Sequence, residues 1–237
     1  MRHIPLLTLL LLATTLSANA QQRVSVDVKT VQVAEGKRVT TERSIYLTED
    51  GRLISEQHRP VHLISLANSI GEMRIYDPAK NEVAMVSDKE LASGKDMVAV
   101  FAWGSYGDMG LPVYGFTQSD VRYEDGLTIK TFTPKSHTNI SQVELVFQNH
   151  LPICMIYYDS KYLPLRKVYF SAYKHERISM PMRITEVEYS SPRDSVVRLS
   201  TYTNLMTGSR ADSPMFDYQI PAGAKRTSVN LNQLVGK

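Results

Sequence analysis

Between Gln22 and about Pro221, apolar and polar residues alternate in short runs broken by turn residues. Val24-Ser25-Val26-Asp27-Val28 shows the pattern: every second side chain is apolar, so one set faces one side of a β-strand and the other set the opposite side. Turn signals recur at Glu35-Gly36, Glu49-Asp50-Gly51, Asp77-Pro78 and Glu124-Asp125-Gly126. The pattern predicts strands over 24–33, 39–48, 52–58, 73–76 and 82–87, then over 127–133, 142–148, 154–158, 165–173, 180–189, 195–204 and 215–220. The fold class is therefore mainly β, with few helices and roughly eleven strands in a largely antiparallel meander. Strands this numerous curl into a barrel or part of one.

One stretch breaks the alternation. Asp88 is placed to cap a helix over 89–101, which Gly94 interrupts. The segment 103–116 then mixes four glycines with the chain's only tryptophan. Glycine loosens the backbone while large aromatics seek burial. Two readings stay open: a mobile lid over a cavity, carried by Met97, Phe101, Trp103, Tyr106, Tyr114 and Phe116, or a packed loop closing one end of the core.

A large sheet with one apolar face must cover it with a second sheet, a helix or an apolar ligand. Alternation points Ile45, Leu47, Leu53, Met73, Ile75, Val83, Met85, Leu145, Phe147, Val168 and Phe170 inward. They line a hydrophobic ligand cavity or pack a filled core. On the first reading, a charge at Trp103 or Phe101 abolishes lipid uptake without unfolding the sheet.

Composition narrows the setting. Residues 1–20 have a short basic start, an apolar run over 4–13 and the small-x-small site Ala18-Asn19-Ala20, as in a cleaved signal peptide. The apolar run, about ten residues, is too short to span a bilayer; an uncleaved anchor is the alternative. The domain plan is thus a signal peptide at 1–20, one domain at 21–225 and a polar tail at 226–237. Losing Arg2 lowers the formal charge from +3 to +2, with basic and acidic residues interspersed, which speaks against nucleic acid. The single cysteine, Cys154, sits in an apolar run and reads as a buried thiol, with a nucleophile or an intermolecular bridge as the alternative. No cysteine follows the cleavage site, so a soluble periplasmic protein without a lipid anchor is expected.

No motif carries chemistry. The histidines are scattered, and the close pair His58 and His62 flanks a turn rather than sharing a helix face. The Gly104, Gly107, Gly110 spacing lacks the Lys-Ser/Thr ending of a phosphate loop. The chain reads as non-enzymatic, with no cofactor and no metal. Methionines occur in nearly every element; they serve as core filler or as an adaptable lining for ligands of variable shape.

Four local stretches carry a resemblance. Ile75-Tyr76-Asp77-Pro78-Ala79-Lys80-Asn81-Glu82-Val83 is similar to a tyrosine–Asn/Asp–proline hairpin followed by a valine-rich strand. Phe132-Thr133-Pro134-Lys135, ahead of Ile140-Ser141-Gln142-Val143-Glu144-Leu145, resembles a leucine-threonine-proline-lysine strand end and its successor. Asp159-Ser160-Lys161-Tyr162-Leu163-Pro164-Leu165-Arg166-Lys167 looks like a later hairpin, and Phe216-Asp217-Tyr218-Gln219-Ile220-Pro221-Ala222-Gly223-Ala224 like a closing strand. In order and spacing these resemble the periplasmic outer-membrane lipoprotein carriers, the LolA/LolB-like lipoprotein-sorting superfamily. The resemblance implies a curved, incomplete antiparallel β-barrel with a helix and loop over its open side. It also implies a monomeric carrier of a lipid or acylated lipoprotein that meets membrane-bound loading and accepting proteins. The chain departs from that pattern in lacking an opening amphipathic helix, and it has Glu49-Asp50, with Arg52 nearby, where those carriers have Arg-Pro. The alternative function is an envelope protein-interaction or stress-sensing module with no transported ligand.

Overall fold

The computed structural model describes residues 23–88, 92–136, 138–191 and 194–227. The expected signal peptide at 1–20 and most of the expected tail lie outside the described residues. Strands β1 (Val24–Ala34), β2 (Lys37–Leu47), β3 (Leu53–Arg59), β4 (Leu63–Ala67), β5 (Glu72–Asp77) and β6 (Glu82–Ser87) form one antiparallel meander. A second meander holds β7 (Phe116–Glu124), β8 (Leu127–Pro134), β9 (Gln142–Gln148), β10 (Leu151–Tyr158), β11 (Pro164–His175), β12 (Ser179–Ser191) and β13 (Asp194–Thr207). The two join where β1 pairs with β13, and β14 (Lys225–Thr227) adds to β6 in parallel. Among the described residues the result is one curved sheet of 14 strands that does not close, with β14 and β7 at its edges.

The tight turns follow from backbone chemistry. Glu35-Gly36 and Asp125-Gly126 both have positive φ at both positions, the mirror-image turn whose twist matches the flanking strands. In β1, Val24, Val26 and Val28 are buried while Lys29 is exposed, as alternation requires.

Five elements depart from expectation. The helix α1 spans only Met97–Ala102, preceded by a 3-10 turn at Ser93–Lys95, and its cap is Asp96 rather than Asp88. The Asp96 carboxylate accepts the Val98 N–H at 2.8 Å. Residues 89–91, the expected first turn, lie outside the described residues. The expected strand at 215–220 is instead a 3-10 turn at Pro214–Asp217 followed by irregular chain, because the Ser213 hydroxyl caps the Met215 N–H. Strands β4 and β7 were not anticipated. In β4 apolar residues occupy both faces of a five-residue strand, and in the edge strand β7 nearly every side chain is exposed, so neither alternates. The last described strand, β14, was not anticipated either.

The sheet buries apolar residues on both faces. On one face α1 contributes Val98, Ala99, Val100 and Phe101 to a cluster with Val26, Ile45, Leu145, Phe170 and Met180. Phe101 meets Tyr106, Phe170 and Tyr173 with ring centroids 5.3, 5.8 and 6.1 Å away. On the opposite face, Ile54, Ile64 and Tyr76 form a smaller cluster under Met215, Tyr218 and Ile220. The Arg52 Nη2 donates to the Phe216 carbonyl at 2.6 Å and ties that segment down.

Candidate ligand site

The α1-covered face is not filled throughout. Two cavities flank the chain that leads into α1. The larger, about 880 Å³, lies between the β10–β11 region and the 105–116 loop. Met97 and Val100 of α1, Met109, Leu111 and Phe116 of the loop, and Met155 of β10 give it an apolar lining. The smaller, about 370 Å³, lies over β3 to β5 and mixes Leu53, Met73 and Ile75 with Ser55, Gln57 and Ser65. Ala92 and Lys95 border both.

The expected cavity residues separate into three groups. Leu53, Met73 and Ile75 line the smaller cavity. Ile45, Leu47, Leu145, Phe147, Val168 and Phe170 are buried in the packed cluster beneath α1 and border neither cavity. Val83 and Met85 lie on the other face. Met73 pairs with Val86 and Ile75 with Ala84, so the inward residues of β6 are Ala84 and Val86. Val83 packs against the outer cluster and Met85 is 59% exposed. The run Val83-Ala84-Met85-Val86 is apolar at every position, and a one-residue choice of phase inverts the faces.

Of the expected lid residues, Met97, Tyr114 and Phe116 border the larger cavity. Phe101 is 1% exposed and belongs to the core. Tyr106 stacks on it, and Trp103 packs against the same cluster. The Trp103 ring rests on Gly94, where an added Cβ would come within 2.9 Å of it. Alternation missed Val100, Leu111 and Met155 as lining residues. Leu111 and Val100 lie outside strands, and the Met155 signal was lost in a run of apolar residues.

Charge is unevenly placed in this interior. Arg43 faces Asp96 at 3.8 Å beside the smaller cavity. Arg166 borders the larger one, lies over the Tyr157 ring at 5.6 Å, and donates to Glu186, which also accepts from Arg198. Lys95 sits 4.3 Å over the Tyr114 ring. Burial pushes the Tyr157 phenol above its ordinary range, against the pull of the Arg166 cation. On the other face of β10, burial pushes the Cys154 thiol up to about 11, which leaves little thiolate at neutral pH.

No protein-family profile matches the chain, and no curated protein matches it by sequence. Solved structures do. The chain is similar to a LolA superfamily protein from Nitrosomonas europaea (TM-score 0.53, 13% identity, 78% of this chain and 86% of that one). It is similar to a DUF1329 family protein from Desulfovibrio piger (TM-score 0.55, 17% identity, 84% and 90%). It is also similar to an outer membrane lipoprotein-sorting protein domain from Vibrio parahaemolyticus (TM-score 0.55, 10% identity, 84% and 91%). The likeness to these structures over most of each chain shows that this chain has a LolA-like fold.

Proposed function

We propose that this protein is a non-catalytic periplasmic carrier that holds an acyl chain of a lipid or lipoprotein in the larger cavity. The observation that carries this reading is the apolar space of about 880 Å³ between the sheet and α1 with its loop. Ligand pockets run from roughly 300 to 1,000 Å³. Each methylene leaving water contributes about 0.8 kcal/mol, so one long chain supplies on the order of 10 kcal/mol. The likeness to a lipoprotein-sorting domain supports the same reading. Release to an acceptor requires that the cover open. The cover is slight: α1 has six residues, and the loop beyond it holds short 3-10 turns.

Native mass spectrometry on the protein purified from its own envelope, followed by organic extraction, tests this directly. A discrete adduct of lipid or acylated-peptide mass is expected, and Met155→Trp, which narrows the larger cavity, should weaken it. A bare mass, together with failure to bind added palmitate or an acylated peptide, would overturn the carrier reading.

A further inference from the structure

The outer N–H and C=O groups of an edge strand lack a neighbouring strand, and they pair with another chain unless something prevents it. β7 is one edge of this sheet. The two-residue turn at Asp125-Gly126 closes a hydrogen-bonded pair between Glu124 and Leu127. From there Tyr123 stands opposite Thr128, Arg122 opposite Ile129 and Val121 opposite Lys130. Backbone groups alternate along such a ladder, so those of Arg122 and Glu124 point to β8 while those of Val121 and Tyr123 point outward. The Val121 and Tyr123 side chains are 36% and 79% exposed. Val121 shares the α1-covered face with Lys130 and Leu145. Arg122 is on the opposite face, with exposed Asp120 two residues before it. Arg122 donates to Glu144 at 2.9 Å, to Glu124 at 3.0 Å and to Thr131 at 3.4 Å, which uses three of the five N–H donors of a guanidinium.

We propose that β7 pairs with β7 of a second copy of this chain, antiparallel, about a two-fold axis at Val121. Outward-pointing residues must face one another across the new ladder, which restricts the axis to a whole residue. An axis at Asp120 sets Asp120 against its own copy, and one at Arg122 sets Arg122 against its own copy; like charges directly opposite repel. An axis at Tyr123 runs the ladder into the Asp125-Gly126 turn. With the axis at Val121, each Asp120 carboxylate meets the partner's Arg122, and the two valines meet between these ion pairs. Tyr123 then lies opposite the partner's Ser119, and the bulge between Gln118 and Asp120 limits the ladder beyond that point. An edge contact of this length buries less than about 1,200 Å², the range of weak, reversible association. The axis is perpendicular to the sheet, so both concave faces, each with its larger cavity, look the same way. The pairing stands apart from the carrier reading, and it replaces the monomer that the resemblance implied.

Sedimentation velocity on the chain from Gln21 onward, between about 10 µM and 1 mM, reads the monomer–dimer equilibrium. A dimer that grows in with concentration is expected. Val121→Pro removes an outward N–H and leaves the bonds to β8 in place, so it should weaken the dimer about tenfold or more. Asp120→Arg and Arg122→Asp should each stay monomeric alone, because like charges then face across the axis. An equimolar mixture of the two should dimerise, because opposite charges face again. Far-UV circular dichroism confirms that each variant folds. Arg122→Asp also loses the bond to Glu144; should it fail to fold, Val121→Pro and Asp120→Arg decide the matter by themselves. A dimer of unchanged affinity in those two would move the contact to another surface and overturn the inference. A monomer throughout the range in the unaltered protein would overturn it as well, and leave the edge to solvent or to an extended peptide of another protein. A folded mixture that stays monomeric while the unaltered protein dimerises would overturn the Val121 axis.

Discussion

Phe101 holds the cover on the sheet, and Phe101→Ala measures how strongly. The side chain is 1% exposed and is the largest residue that α1 sends into the main cluster. A helix of six residues has no stability of its own in water, so α1 stays in place through what it buries. Truncating a buried phenylalanine costs about 3–5 kcal/mol, from lost transfer energy and the cavity left behind. Contacts with Tyr106, Phe170 and Tyr173 place Phe101 toward the upper end, since aromatic pairs add about 0.5–1.5 kcal/mol beyond their buried area. Set against a total stability of about 5–15 kcal/mol, that is a large share. Urea unfolding followed by far-UV circular dichroism and by the fluorescence of Trp103, the only tryptophan, gives the measurement. With a slope of roughly 1–3 kcal/mol per molar urea, the midpoint should fall by more than ~1 M. Both probes should still move together, because α1 and the strands share one cluster. An unchanged midpoint, or a Trp103 transition well ahead of the strand signal, would refute the claim that α1 is part of the cooperative core. The result also bears on the expectation that a charge at Phe101 would spare the sheet: a residue this buried answers to stability first.

Three further outcomes are expected. Gly94→Val forces the Trp103 ring from its seat, so Trp103 emission should shift to the red, with an overpacking cost of about 1–3 kcal/mol in thermal unfolding; unaltered emission would contradict the contact. Stability should fall at alkaline pH, because the folded state holds Cys154 at about 11 and Tyr158 at about 12, above their ordinary 9.0 and 10.0. Their contribution is intact below pH 9, and it is lost as pH rises through 11 and then 12; Cys154→Ala should remove the earlier part of the loss in a pH series of urea midpoints. Arg52→Ala removes the bond to the Phe216 carbonyl and should cost about 1.5–3 kcal/mol. Hydrogen exchange should then rise along residues 214–224 more than in β9 to β11.

The two faces of the sheet show what alternation alone could determine. In β1, β2, β9 and β11 the inward residues were legible because a polar residue beside each run, such as Ser25, Ser44, Glu144 or Lys167, fixes the phase, and Ile45, Leu47, Leu145, Phe147, Val168 and Phe170 are all buried beneath α1. The mainly β class and the gap in the meander over 88–116 were legible for the same reason: a period of two persists locally, and its interruption is visible. Where a run is apolar throughout, as at Val83-Ala84-Met85-Val86, the phase depends on the partner strand, and only the pairing of Ile75 with Ala84 resolves it. The edge strand β7 had no signal because neither of its faces is fully covered. The segment 216–224 looked like a closing strand but lies across the outer cluster, since the Arg52 bond and the Ser213 cap outweigh its aromatic alternation. The site follows the same division. Sequence identified apolar residues in excess of what one face of a sheet can hide, but whether they meet one another or leave space is a matter of curvature. Curvature is set by the whole sheet, and it brings Lys95, Tyr114, Met155 and Arg166 around one cavity from parts of the chain that share no local pattern.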